Sequence, residues 1–318
     1  MASSLNFAYL SRTKVVYYLG RHVNNITKIT KLHIRCNSNS NKMASSKVPN
    51  IKLSSGHAMP VVGYGTFNLF KENEVRDAAR VALEVGYRHF DTAWLYKTEE
   101  ELSDAITQKI KDGLLKRSDL FLTSKLWNTH HRPESVEEMC RDSLTSLQTD
   151  YLDLYLIHCP VAVKGSCKQG DALKTKMPHD DVDFIDTWKV EVHPYYTNNE
   201  LLDYCKQENI VVTAYAPLGR GMSNSADQFK PANLLVDKTI QKIAAKYNKT
   251  AAQVLLRWGV ERGYTLIPKS VTPARIKQNI EIFDFSLNEA DVETISTLNK
   301  WHKCYHLDLY RDHPEYPF

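Results

Sequence analysis

No aspartate or glutamate occurs before Glu72, although lysine and arginine are scattered through that stretch. The formal net charge of the 318-residue chain is +4, so its basicity is local, and the chain beyond Glu72 is slightly acidic. This mild, local basicity says little about nucleic acid, and no nucleic-acid partner is expected. No apolar run approaches the roughly 18 residues of a membrane-spanning helix, so no membrane partner is expected. Six cysteines (Cys36, Cys140, Cys159, Cys167, Cys205 and Cys304) form no C-x-x-C pair and no paired metal spacing. A zinc ribbon or a disulfide framework is therefore not expected, and free thiols in a reducing compartment are. Gly63-x-Gly65 lacks the third glycine of a dinucleotide-binding fingerprint and does not open a helix.

Residues 1–42 carry serine, asparagine, arginine and lysine, with only short apolar patches. Two readings stand. The segment has the composition of an organellar transit peptide. Alternatively Met43-Ala-Ser-Ser is the true start and residues 1–42 are an upstream extension. Either way the segment is expected to be disordered and apart from the fold. A domain over residues 43–318 remains, ending in an aromatic, proline-containing tail at 301–318. A cytoplasmic monomer is expected, or a mitochondrial or plastid one if the first segment is a transit peptide.

From Asn50 the pattern becomes regular. Residues 51–53 and 58–60 flank Ser55-Gly56 as a small hairpin. A first buried strand is expected over 61–67, a helix over 74–84, and a second strand over 87–92. A helix over 99–111, a strand over 119–126, a helix over 133–147 and a strand over 153–158 follow. Pro133 suits a first helical position. Near-continuous apolar strands alternating with amphipathic helices indicate parallel strands buried on both faces. Strand starts near 61, 87, 119 and 153 repeat at roughly thirty residues, as a (β/α)₈ barrel requires. A doubly wound sheet is the alternative.

After residue 158 the rhythm fails. Residues 161–180 read as a polar loop and 181–189 as the start of a helix. At Val190 the sequence changes at once to Val-Glu-Val-His-Pro, a strand and its loop, with no turn residues between. A helix over 199–208, a strand over 210–215, helices over 238–247 and 251–260, and a last strand over 264–269 complete the pattern. The count is seven strands, one short of a closed barrel of eight.

Strand ends on the C-terminal side offer Asp91 and Tyr96, then Lys125, then His158. Active sites of parallel barrels are built from such positions. A phenol with an ordinary pKa near ~10 is a weak acid at neutral pH. A lysine ammonium beside it favours the phenolate and lowers that value. Asp91 can hold Lys125 as an ion pair, and His158 can orient a substrate carbonyl. Together they suit proton donation to a developing alkoxide. Singly, each has a plainer reading: a loop phenol, a solvated lysine, a rim histidine, or a helix cap at Asp91.

These residues also carry a family likeness. Residues 48–318 resemble an aldo-keto reductase of the aldose reductase type. The matching text is Gly86-Tyr-Arg-His-Phe-Asp-Thr-Ala, Ser124-Lys-Leu-Trp, Asp150-Tyr-Leu-Asp-Leu-Tyr-Leu-Ile-His, Val192-His-Pro, Ala214-Tyr with Pro217-Leu-Gly, and Ile267-Pro-Lys-Ser-Val-Thr-Pro. The resemblance implies a (β/α)₈ barrel and NADPH-dependent reduction of aldehydes and ketones. It implies Tyr96 as general acid, Lys125 and Asp91 as its tuning groups, and His158 as the orienting group. Lys269, Ser270, Arg275 and Asn279 match the grip on the adenosine 2′-phosphate and adenine, a cationic pair at a helix start that favours NADP over NAD. Tyr215 matches the residue stacked on the nicotinamide, and Leu218 a neighbour of the pyrophosphate. Phe67, Trp94 and Trp127 are expected as aromatic walls for a small-molecule carbonyl substrate, with ordinary rim packing as their plainer reading.

Two departures stand out. Cys159 follows His158 where the family usually has tryptophan. At the Lys189/Val190 junction roughly forty residues of the family's length are absent, about one and a half βα units of an eight-unit barrel. The rest of the fourth helix, the fifth strand and helix, and the start of the sixth strand are missing, so an incomplete barrel is expected. The family's Ser-Asn pair and Gln that bind the nicotinamide carboxamide fall in that segment. Impaired activity is therefore expected, with a catalytically inactive form that still binds NADPH or a partner as the alternative. A barrel isomerase or aldolase is a weaker third reading, since nothing resembles a Schiff-base lysine in an apolar pocket.

Overall fold

The computed structural model describes residues 48–67, 69, 71–159, 161–165, 189–220, 233–304 and 311. The extension at 1–42, most of the 301–318 tail, and the helix expected from Asp181 up to residue 188 lie outside these residues.

The hairpin forms as β1 (Asn50–Lys52) paired antiparallel with β2 (Ala58–Pro60). Four strands then run parallel in the order β3 (Tyr64–Gly65), β4 (His89–Asp91), β5 (Phe121–Leu126) and β6 (Leu154–Ile157). A second parallel group is β7 (Lys189–Glu191), β8 (Thr213–Tyr215) and β9 (Thr265–Leu266). The two groups meet at a parallel bridge between Val62 and Leu266. There Gly63 N–H donates to the Leu266 carbonyl at 2.8 Å, and Leu266 N–H donates to the Val61 carbonyl at 2.8 Å. The result is one curved wall, ordered β7-β8-β9-β3-β4-β5-β6. It contains the seven parallel strands expected from the sequence. Among the described residues no strand pairing joins β6 to β7, which is where the expected missing segment falls. Lys189 opens β7, opposite Thr213, rather than ending a helix as the sequence predicts.

Helices α1 (Glu74–Glu84), α2 (Glu99–Lys111) and α3 (Pro133–Ser146) connect the first group. The first two match their expected bounds. Helix α1 buries Val75, Ala78, Ala79, Ala82 and Leu83 on one stripe. Its N-terminal amides are covered by a neighbour: the Glu101 carboxylate of α2 accepts from the backbone N–H groups of Asn73, Val75 and Arg76 at 3.1–3.2 Å. An anion at that end also complements the helix dipole.

Helices α4 (Asn199–Gln207), α5 (Lys238–Lys246), α6 (Ala251–Glu261) and α7 (Pro273–Ile280) serve the second group. Thr250 and Gln253 form a reciprocal capping box on α6. A further helix, α8 (Glu289–Ser296), was not expected. It buries only Ile295, so its apolar period is too weak to read.

The strands are shorter than the apolar runs predict, because pairing ends where each chain leaves the wall. Residues 117–119, for instance, form a 3₁₀ turn before β5 begins. Gly65 lies tight against the chain just after β9, where a Cβ would sit 2.9 Å from the Ile267 carbonyl oxygen. Gly65→Ala is expected to cost about 1–3 kcal/mol through overpacking against backbone, measured as a lowered urea midpoint. A Gly56→Ala control, with open space around the Cβ, separates crowding from the strain of a positive φ.

Candidate active site

Strand β4 ends at Asp91, which is 2% exposed. The chain leaves through extended Ala93 and a 3₁₀ turn, Trp94–Tyr96, closed by Lys97 at a φ of 58°. Three buried hydroxyls brace this exit. Thr98 Oγ1 lies 2.9 Å from Thr66 Oγ1 and 3.0 Å from Thr92 Oγ1. The turn carries Tyr96 back over the strand end.

Strand β5 is buried along its whole length. Successive side chains alternate between its faces. Ser124 turns to the helix side, where its Oγ donates to Glu99 Oε1 of α2 at 2.6 Å. Lys125 turns the other way. Its Nζ donates to Asp91 Oδ1 at 2.9 Å and, at very short range, to the Thr92 carbonyl. With Lys125 1% exposed, this is an ion pair withdrawn from water. Such a pair stays charged only because each partner satisfies the other.

The Lys125 ammonium lies 4.5 Å from the Tyr96 ring centroid. His158 follows β6 and its N–H donates to the Leu126 carbonyl at 2.9 Å. Its ring stands edge-on to Tyr96 at 5.2 Å and 82°, and edge-on to Trp127 at 5.2 Å and 85°. Phe67 packs on Tyr96 at 5.0 Å. Asp91, Tyr96, Lys125 and His158, from three successive strand ends, thus converge with Phe67 and Trp127. Trp94 is half-buried, packs beside Leu95 and Trp127, and stands 6.0 Å from His130.

The electrostatics differ in one respect from the sequence expectation. Lys125 does pull the Tyr96 phenol down, but burial is the larger effect and Asp91 adds to it, so the phenol is pushed up to about 12. The ring nevertheless keeps partial exposure. Burial likewise pushes the Cys159 thiol up to about 12, against an opposing hydrogen bond from Asn128 and the Lys125 charge. A thiol held there is a small apolar wall, not a nucleophile.

A second group stands at the ends of β8 and β9. Tyr215 is the last residue of β8, and the loop after it takes positive φ at Ala216, Gly219 and Arg220. Leu218 packs against the core. Ile267 N–H donates to the Ala214 carbonyl at 3.4 Å, so the chain toward Lys269 leaves the wall beside Tyr215. The Ser270 carbonyl accepts from the Tyr64 hydroxyl at 2.7 Å, and Ser270 Oγ accepts from Thr272 N–H at 3.2 Å. Helix α7 presents Arg275 exposed in its first turn and buries Asn279.

Lys269 keeps an exposed face, yet its ammonium is lowered, first by partial burial and further by the Arg220 charge, with Glu74 opposing. Arg220 was not anticipated. Its place just after Leu218-Gly219 was the only sequence signal, and its closeness to Lys269 is tertiary. Thr92 was also missed, because its contribution is a main-chain carbonyl. In the wall β3 separates the two groups, with β4 on one side and β9 on the other.

A family model described as the aldo/keto reductase family matches residues 61–177 and 174–300. The match comes in two pieces that meet within the connection between β6 and β7. Aldo-keto reductase family 1 member A1-A of Danio rerio is 39% identical over 324 positions, covering 84% of this chain and 98% of the relative. That share is about 267 of 318 residues, so about 57 aligned positions of the relative face no residue here. Estradiol 17 beta-dehydrogenase 5 of Mus musculus is 35% identical, covering 86% of this chain and 98% of its own. Among solved structures, an aldose reductase from Schistosoma japonicum superposes with a TM-score of 0.76 at 33% identity, over 85% of this chain and 98% of that one. A Bombyx mori aldo-keto reductase in complex with NADP gives 0.77 at 33% identity, over 86% and 100%.

Proposed function

The chain belongs to the aldo/keto reductase family, whose members are NADP-dependent oxidoreductases of (β/α)₈ barrel fold, and from that premise we propose that it reduces aldehydes or ketones to alcohols with Tyr96 as the proton donor. One observation carries the reading: the buried Lys125–Asp91 pair set 4.5 Å behind the Tyr96 ring, with His158 edge-on beside it. NADPH supplies a hydride to the carbonyl carbon when bound. The alkoxide that develops on oxygen takes the Tyr96 proton. The Lys125 ammonium stabilises the phenolate left behind, and Asp91 keeps that ammonium in place. His158 orients the carbonyl, while Phe67, Trp94 and Trp127 exclude water around it.

The cofactor residues fit the group they would hold. Lys269 and Arg275 place cations at the start of α7, where the helix N-terminus also favours an anion such as the 2′-phosphate. Ser270 and Asn279 complete that end. Tyr215 would offer a ring face to the nicotinamide, and Leu218 would flank the pyrophosphate. The reading includes a monomer, and a cytoplasmic setting, which suits a chain whose Cys140, Cys159, Cys205 and Cys304 are free thiols.

The same reading includes impaired turnover. The gap between β6 and β7 removes the carboxamide anchors that the family places there, and a misplacement of about 1 Å can cost ~10²-fold. A phenol held up at about 12 keeps its proton across the neutral range. Reduction is then expected to hold level with rising pH, and the reverse oxidation, which needs the phenolate, to climb. The test is steady-state NADPH oxidation with a generic aldehyde on the full-length chain. Slow but measurable turnover supports the reading. Rates equal to those of relatives of unbroken length would remove the impairment. Quenching of tryptophan fluorescence by NADPH without turnover would replace catalysis with binding alone.

A further inference from the structure

Strand β7 ends at Glu191, and His193 follows two residues later. A tight turn holds the histidine, with His193 N–H donating to the Tyr196 carbonyl at 3.2 Å and Tyr196 N–H returning to His193 at 2.8 Å. The C-terminal segment closes on this turn. Lys300 N–H and His302 N–H both donate to the Tyr195 carbonyl at 3.0 Å. That docking buries Cys304 completely against Glu191 and His193. Glu191 Oε1 lies 2.9 Å from His193 Nε2, and Cys304 Sγ lies 3.5 Å from the same nitrogen. One oxygen, one nitrogen and one sulfur thus fall within 4.8 Å of one another.

We propose that Glu191, His193 and Cys304 bind a zinc ion that staples the C-terminal segment to β7. The donor set decides the metal class. Thiolate, imidazole and carboxylate together suit zinc, whereas calcium and magnesium need shells of oxygen. The spacing fits as well. Tetrahedral zinc with bonds of about 2.0–2.3 Å has ligand-to-ligand edges of roughly 3.3–3.6 Å. The nitrogen–sulfur edge already has that length, and the nitrogen–oxygen edge opens by a few tenths of an ångström.

Charge and protons balance. The Cys304 thiol releases one proton to solvent, and the His193 proton moves from Nε2 to Nδ1 as the metal takes Nε2. Carboxylate and thiolate then cancel the two positive charges of the ion. The Cys304 N–H, 2.5 Å from Glu191 Oε1, remains as a hydrogen bond that orients the ligand carboxylate. The Lys303 side chain, next to Cys304 in the sequence, is the like charge against which the ion binds. Three protein ligands leave the fourth position to water.

The experiment is a Co²⁺ titration of the full-length chain, followed by absorbance. A thiolate-to-cobalt charge-transfer band with visible bands of tetrahedral intensity is expected, saturating at about one equivalent and displaced by Zn²⁺. Cys304→Ser, a near-isosteric change, is expected to lose the charge-transfer band while keeping the native circular-dichroism spectrum. The other thiols stay in place as an internal control. A natively folded wild-type chain without the band, or a band that survives in Cys304→Ser, overturns the proposal. Neither outcome touches the catalytic reading, because no turnover is measured.

Discussion

Tyr96→Phe is expected to lower the turnover of aldehyde reduction by about 10²–10⁴-fold, the usual contribution of a positioned proton donor. The substitution removes one oxygen and its hydrogen bond with Lys125. The ring contacts with Phe67 at 5.0 Å and His158 at 5.2 Å are made by ring atoms and survive. The Lys125–Asp91 pair does not depend on the hydroxyl. The cofactor residues belong to the ends of β8 and β9, the loops after them, and α7, on the far side of β3, so NADPH affinity by fluorescence quenching should be unchanged. The loss should therefore fall on kcat and leave cofactor binding alone. Thermal unfolding should be close to that of the parent, because no core volume is removed. If Tyr96→Phe keeps parental turnover, the proton comes from elsewhere and the proposed role fails.

Asp91→Leu is expected to destabilise the fold by about 3–5 kcal/mol, because it leaves the Lys125 ammonium buried without its anion. Lys125 is 1% exposed, and neither the Thr92 carbonyl nor the neutral Tyr96 phenol beside it supplies the missing negative charge. Against a net stability of ~5–15 kcal/mol, that loss is a large share. The double variant Asp91→Leu/Lys125→Met removes both charges and should recover most of the loss, since replacing a whole buried pair by apolar groups is often neutral. Urea midpoints of the two singles and the double give the coupling directly. Additive effects would mean that water reaches the pair and that it is not the buried clamp described above. Both singles should also lose activity, whatever their stability.

Much of the wall was legible because its signals are local. The apolar runs at 61–67, 119–126 and 153–158, the stripe at 74–84 and the proline at 133 each fix an element within a dozen residues. The break expected at Lys189/Val190 rests on a local signal too, a helical pattern meeting a strand, but its helical side lies outside the described residues. Helix α8 was not legible. Its stability comes from a cap at Asn288 and from the elements it packs on, and it buries a single side chain. The bounds of β3 and β9 were overestimated, since burial continues along the chain after pairing has stopped.

The sequence by itself determined the order of the described strands and helices, the family likeness, and which residue types stand at strand ends. Those follow from periodicity and from motifs a few residues long. Only the tertiary structure decided three other things. It set the balance at Tyr96, where burial outweighs Lys125, because desolvation depends on everything that surrounds the ring. It brought Arg220 up to Lys269. It also brought Cys304 onto Glu191 and His193, more than a hundred residues earlier in the chain. No local spacing rule sees such a cluster, because it exists only once the C-terminal segment has docked on the turn after β7.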